Sequence, residues 1–205
     1  MVAQFFQRNR VLLTVGVAVL LIAGTLVMML TGGSEEAPEF SATSTGYIDG
    51  EESNRTIIKL SDYRGQVVVL DLMAEWCGPC KEVASGTLKP LYKEEYRDSD
   101  KVVIISVSIA NDSLDLLEDM QREYGYDWLH VTNNDLDVIT KYNAQQIPKV
   151  VVIDQQGQIT FSALGIVKQD KLQQEVESAL SGEGSLEKVK QNSIFLMAIG
   201  AGALS

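Results

Sequence analysis

Gln66 to Met73 (QVVVLDLM) is an almost unbroken apolar run, and it leads within three residues into Trp76-Cys77-Gly78-Pro79-Cys80. A strand that is apolar at successive positions must be covered on both faces, which requires layers above and below a sheet. Lys101 to Ile109 (KVVIISVSI) is a second such run. Val150 to Asp154, the turn Gln155-Gln156-Gly157 and Ile159 to Ala163 read as two strands joined tightly, and Trp128 to Thr132 as a further short strand. Helical patterns alternate with them. Asp112-Ser113 caps a helix to about Tyr124 with Leu114, Leu117 and Met120 on one face. Asp135 to Asn143 offers Leu136, Ile139 and Tyr142, and Lys168 to Leu180 offers Leu172, Val176, Ala179 and Leu180 before Gly182. The order predicts an α/β fold, a central mixed sheet flanked by helices.

The first thirty residues obey different rules. Val11 to Leu30 carries no charge, and twenty residues at about 1.5 Å each span a hydrocarbon core of about 30 Å. Arg8 and Arg10 precede the run and Glu35, Glu36 and Glu39 follow it, so the N-terminus is expected inside and the rest outside the cytoplasmic membrane. The run is longer than the 7–15 apolar residues typical of a cleaved signal peptide, and Met28-Met29-Leu30-Thr31 offers no Ala-x-Ala site. Residues 1–30 are therefore expected to form an uncleaved transmembrane anchor. Residues 31–50, rich in Gly, Ser, Thr, Glu and Ala, are expected to be a flexible linker, residues 51–182 the globular domain and residues 183–205 a tail. The net charge of −11 argues against nucleic acid, whose binders carry a basic face.

The chain has only two cysteines and one histidine, His130. Zinc held by Cys77 and Cys80 lacks its other two ligands, so no metal site is expected. A disulfide across two intervening residues closes too short a loop to restrain the unfolded chain much. The pair therefore reads as a dithiol that cycles between reduced and oxidised states, with no other cofactor. At a helix N-terminus a thiolate meets unpaired N–H groups and the positive end of the dipole, which lowers its pKa from about 8.5 towards 7. Cys77, the earlier and by expectation the more exposed thiol, is the candidate nucleophile, and Cys80 the resolving thiol. Pro79 suits the first helical turn. Trp76 either forms a lip beside the site or packs inward.

Val69 to Lys81 (VLDLMAEWCGPCK) resembles the active-site stretch of the thioredoxin superfamily. That resemblance implies a thioredoxin-like fold and a buried carboxylate, Asp71, that helps move the resolving thiol's proton; a surface-facing aspartate at the strand end is the alternative. Gln146-Ile147-Pro148-Lys149 resembles the family's cis-proline segment, which implies that Ile147 and Pro148 line a substrate groove with Trp76, Gly78 and Pro79. Ile57 to Gln66 (IIKLSDYRGQ) and the extra segment Asp112 to Thr132 resemble the membrane-anchored TlpA/ResA-like subfamily. Three features depart from it. Val83 stands where relatives specialised for cytochrome c maturation carry glutamate, Lys149 replaces a frequent threonine, and Ser85-Gly86-Thr87 with Pro90 is expected to break or kink the first helix before Leu91.

The expected activity is thiol–disulfide exchange on protein substrates outside the membrane. The Gly78-Pro79 dipeptide is that of reducing thioredoxins, near −270 mV, which favours a reductase over a disulfide-forming oxidase. A non-catalytic adaptor or a metallochaperone is the alternative from another class; copper delivery calls for a wider cysteine pair plus a histidine. Ile194 to Ser205 faintly resembles the opening of DsbD/CcdA-type membrane electron carriers, which makes such a carrier the candidate electron donor.

Overall fold

The computed structural model describes residues 35–132 and 137–182. The expected anchor, residues 31–34 of the expected linker and the tail lie outside the described residues. No helix among the described residues is long and apolar enough to cross a membrane.

Among the described residues eight strands form one mixed sheet in the order β1-β10-β9-β6-β7-β8-β2-β5. These are β1 (Glu35–Glu36), β2 (Ser41–Ser44), β5 (Ile57–Lys59), β6 (Val67–Met73), β7 (Val102–Ser108), β8 (Leu129–Thr132), β9 (Lys149–Ile153) and β10 (Gln158–Leu164). A small hairpin, β3 (Tyr47–Ile48) with β4 (Glu51–Glu52), stands apart from the sheet. The central strand β6 runs parallel to β7 and antiparallel to β9, and β7 runs parallel to β8. All seven residues of β6 are buried, as the continuous apolar pattern requires.

Alternation along the strands divides the core in two. Val67, Val69 and Met73 of β6 join one cluster, and Val68, Leu70 and Leu72 join the other. The helices are α1 (Gly78–Val83), α2 (Lys89–Leu91), α3 (Leu114–Tyr124), α4 (Asp137–Lys141) and α5 (Gln169–Ser181). Their cover is uneven. The first cluster takes Val83, Leu91, Leu117, Met120, Leu172 and Val176 from four of them. The second is closed by Val138 of α4, by Tyr142 just beyond it, and by Ala37, Phe40 and Leu60 from the N-terminal segment.

One expectation is corrected here and a second only in part. From Glu35 onward the linker belongs to the fold: β1 pairs with β10, and β2 joins β8 to β5. Its polar composition reflects short strands with one wet face, while Ala37, Phe40 and Ala42 turn inward and are buried. The first helix does not break before Leu91. A wide π turn (Ala84–Leu88) precedes Pro90, with the Lys89 N–H donating to the Ala84 carbonyl five residues back. A second wide turn (Tyr92–Tyr96) follows α2, and the cap residues between these segments keep right-handed helical angles. The wide turn absorbs the donor that proline lacks and the room its ring needs.

The segment between β2 and β5 is fastened to α3. Glu118 Oε1 accepts from the Gly46 N–H at 2.7 Å and from Arg55 Nε at 2.8 Å, and Arg122 pairs with Glu52 at 2.7 Å. Buried Gln121 reaches the carbonyls of Tyr47, Tyr126 and Trp128 with its amide nitrogen.

Phe40 meets Tyr142 edge-to-face with ring centroids 6.3 Å apart. Phe40→Ala is expected to cost about 3 kcal/mol of stability in urea melts. A loss below about 0.5 kcal/mol would return residues 35–50 to the status of a tether.

Candidate functional site

The sequence elements singled out above converge where β6 ends. Cys77 and Cys80 form a disulfide with Cα atoms 5.2 Å apart. Cys77 is extended (φ −81°, ψ 101°) and caps α1, its Sγ accepting from the Cys80 N–H at 3.2 Å. Gly78 and Pro79 supply the first two helical positions, where proline's missing donor has no consequence. Once the disulfide is reduced, the same N–H stands against a thiolate on Cys77 and favours its charged form. Cys77 is the more exposed of the two as expected, but by little: it is 4% exposed and Cys80 1%, so both sulfurs are buried in the oxidised protein. Trp76 is 70% exposed and forms the lip; the reading in which it packs inward does not hold.

The loop before the cysteines is pinned by a residue that sequence reading assigned to a helix cap. Ser113 alone caps α3, accepting from the Leu116 N–H. Asp112 reaches across, and its Oδ2 accepts from the Glu75 N–H and from Ser108 Oγ, both at 2.8 Å. Glu75 and Lys81 pair across the loop at 2.7 Å, and the Lys81 ammonium lies 5.4 Å from the Tyr124 ring centroid.

Asp71 is 1% exposed on β6, and the surface-facing alternative is excluded. It alternates with Val69 and Met73, which places it on the sheet face that carries both cysteines. Ser106, its register partner on β7, donates from Oγ to Asp71 Oδ2 at 2.8 Å, while Oδ1 has no partner among the described residues. Burial pushes the Asp71 pKa up to about 7, and the Ser106 hydrogen bond opposes part of that rise. One strand further, His130 aligns with Ser106 on β8. Its ring packs against those of Trp128 and Tyr126, with centroids 5.2 and 6.2 Å away, and burial lowers its pKa to about 4, so it is neutral at physiological pH.

The Ile147–Pro148 bond is cis. Lys149, the next residue, pairs with Leu72, so the cis bond sits beside the end of β6 from which the cysteine loop departs. Pro148 is buried, and half-buried Ile147 packs on the cluster that includes both cysteines. Lys149, where threonine is frequent among the resembling proteins, donates from Nζ to the carbonyls of Tyr142 and Asn143 and so ties down the loop before the proline. The Gly165 N–H donates to the Pro148 carbonyl at 2.8 Å, and its neighbours Leu164 and Ile166 are 57% and 55% exposed. Those two apolar side chains were missed in sequence, where the only hint was a glycine, here at φ 87°, after an alternating strand.

An open cavity of about 250 Å³ beside the proline is lined by Asn143, Gln145, Gln146, Lys149 and Leu164. Another of about 360 Å³, lined by residues such as Ser44, Thr56, Tyr92 and Arg97, holds none of the predicted site residues. Among the described residues no group of three or more His, Cys, Asp or Glu side chains is placed to hold a metal ion.

Comparison with known proteins agrees with this geometry. Residues 65–159 match the thioredoxin-like family model. The thiol-disulfide oxidoreductase ResA of Geobacillus kaustophilus is 27% identical over 144 residues, 69% of this chain and 75% of that protein. ResA of Bacillus subtilis is 23% identical over 184 residues, 87% of this chain and 98% of that protein. Among solved structures, a secreted thiol-disulfide isomerase from Corynebacterium glutamicum superposes with a TM-score of 0.59 at 21% identity, covering 71% of this chain and 85% of that one. StoA from Bacillus subtilis gives 0.52 at 20% identity, covering 68% and 96%. At these identities the structural matches establish the fold.

The raised Asp71 pKa fixes the sign of a pH effect. The folded oxidised protein holds this proton more tightly than the unfolded chain, whose value lies near 4. Its contribution to stability is complete below about pH 4 and is lost as pH rises through about 7, a difference of about 4 kcal/mol in order of magnitude. Asp71→Asn removes that slope. Urea melts of the oxidised proteins should show the variant gaining on the parent between pH 4 and 8; parallel curves would mean that Asp71 ionises without penalty.

Proposed function

We propose that the chain is a thioredoxin-like thiol–disulfide oxidoreductase that reduces protein disulfides outside the cytoplasmic membrane while tethered by residues 11–30, a reading supported by the thioredoxin-like family match and the ResA relatives. The observation that carries the reading is a Cys77–Cys80 disulfide capping a helix on the sheet face that holds a buried carboxyl with a near-neutral pKa. Near-neutral acids accept and return protons at physiological pH without a large driving-force penalty.

The steps follow from that placement. In the reduced protein the Cys77 thiolate attacks a substrate disulfide held along Trp76, Gly78, Pro79, Ile147 and Pro148. A mixed disulfide forms, and one substrate sulfur leaves as a thiolate that takes a proton from solvent. Cys80 then gives its proton to Asp71, and its thiolate attacks Cys77 Sγ. The Cys77–substrate bond breaks, the Cys77–Cys80 bond forms, and the second substrate thiolate leaves to be protonated. Two electrons have passed from the protein dithiol to the substrate, and Asp71 returns its proton to solvent.

The Gly78-Pro79 dipeptide supports reduction over oxidation. The uncharged run 11–30 behind Arg8 and Arg10 supports the tether and the orientation. Outside the membrane the cytosolic thiol pool is absent, so turnover needs a dithiol donor supplied through the membrane. A DsbD/CcdA-type carrier has that chemistry, and the apolar stretch 194–204 is the sequence feature that suggests one.

Incubation with a disulfide-bonded protein substrate tests the assignment of the thiols. Cys80→Ser is expected to accumulate a mixed disulfide through Cys77, visible as an added mass that dithiothreitol releases. Cys77→Ser should accumulate none, and both variants should lose more than 100-fold in turnover. Equal trapping by the two variants, or turnover surviving either change, contradicts the mechanism. An oxidase is the outcome if the wild-type protein forms disulfides in a reduced substrate faster than it breaks them.

A further inference from the structure

Three buried groups, Asp71 on β6, Ser106 on β7 and Trp128 just before β8, form a hydrogen-bonded chain that the mechanism above uses only at one end. The Trp128 Nε1–H donates to Ser106 Oγ at 2.9 Å, and Ser106 Oγ lies 2.8 Å from Asp71 Oδ2. Each of the three residues is 1% exposed. An indole nitrogen is only ever a donor. Ser106 must therefore accept from Trp128, and its single proton is left to point at Asp71. The polarity of the chain is fixed in one direction, from indole to hydroxyl to carboxyl.

This polarity distinguishes the two carboxyl oxygens. A proton on Oδ2 would face the Ser106 proton, and that hydroxyl cannot turn away without meeting the Trp128 N–H. Oδ1 has no partner among the described residues. We propose that Ser106 and Trp128 are positioning residues that hold Asp71 Oδ2 as a permanent acceptor, so that the proton exchanged with Cys80 arrives at and departs from Oδ1. The inference rests on the reading of Asp71 as the proton acceptor and goes one step further, to the oxygen that does the work and the residues that choose it. In the resolving step the Cys80 S–H bond breaks and an O–H bond forms at Oδ1. The electron pair left on sulfur forms the Cys77–Cys80 bond as the substrate thiolate departs.

The groups facing Asp71 leave its titration identifiable. On β9 its register partner is Val150, on β7 it is Ser106, and beyond Ser106 on β8 comes neutral His130. The same core cluster contains Cys77, Cys80 and Tyr126. The Tyr126 hydroxyl is held by Ser85 and the Lys81 carbonyl, and burial raises its pKa. Lys81 is paired with Glu75 at the half-exposed edge of the helix, and its pKa is also raised. Between about pH 5 and 8 the remaining titrating groups are Asp71 and the reduced thiols.

The test is the pH profile of single-turnover reduction of insulin disulfides by the reduced full chain in detergent, from pH 5 to 9. Ser106→Ala removes a donor that favours the charged carboxylate, so the profile's midpoint should rise by about one unit. The rate at pH 7 should fall several-fold and recover by pH 9, a recovery that a merely structural defect would not give. Ser106→Thr keeps the hydroxyl and should restore the parent midpoint. Trp128→Phe releases the hydroxyl from its fixed direction and should shift the midpoint the same way by a smaller amount. If Ser106→Ala does not fold, Trp128→Phe decides the matter alone. A midpoint unchanged in the Ser106→Ala or Trp128→Phe protein, while Asp71→Asn abolishes the pH-dependent limb, overturns the positioning inference and leaves Asp71 as the acceptor. A limb unchanged in Asp71→Asn removes the acceptor itself and the inference with it.

Discussion

The burial of the Asp71 carboxyl on the sheet face that carries both cysteines is the constraint on which the proposed site depends. A carboxylate inside an apolar strand pays a desolvation cost, and the protein meets it with one serine hydroxyl and a pKa raised to about 7. An ionised partner such as lysine would have pulled that pKa down and removed the neutral form at physiological pH. A neutral donor held by an indole leaves the acid poised between its two states. In the proposed mechanism, the stability given up at neutral pH leaves a group that can accept and return a proton.

The sheet explains how such a group is held still. β6 is covered on both faces and flanked by β7 and β9, so its side chains sit in fixed register. The same strand delivers the acid within its length and the cysteine loop at its end. Asp112 from beyond β7 holds the backbone of that loop, and Lys149 from β9 ties back the loop before the cis proline. The strands on either side of β6 thus supply both rigidity and the contacts that set the mouth of the site. The exposed large apolar side chains there are Trp76, Leu164 and Ile166, a small surface on which the proposed protein substrate would rest.

Much of this was legible in the sequence, and the reasons for the rest are physical. Continuous apolar runs announce doubly buried strands, so β6, β7 and β9 were readable, as was an acid lodged in one of them. The cysteine spacing and Pro148 carried the site because each is costly or unusual without a function. β2 and β5 were hidden because short strands beside a wet edge show no run and little alternation; around β2, Phe40 is the one large apolar residue in the stretch 34–46. That the helix around Pro90 is irregular was readable, but not that it continues without a break, because a wide turn has no sequence signature and removes the proline penalty. Asp112, Ser106 and Trp128 could not be connected to the site, since they act through contacts 37, 35 and 22 residues apart in the chain.

The claim that a buried, near-neutral acid serves a reducing dithiol is tested most directly by the reduction potential of the Cys77–Cys80 pair. It is measured by equilibrating the full chain in detergent with dithiothreitol and glutathione buffers and counting free thiols by alkylation and mass. The account predicts a value at or below about −250 mV, in the range of reducing thioredoxins and within reach of a membrane-supplied dithiol. A value near −120 mV, that of a strong disulfide donor, would contradict it and make the protein an oxidase.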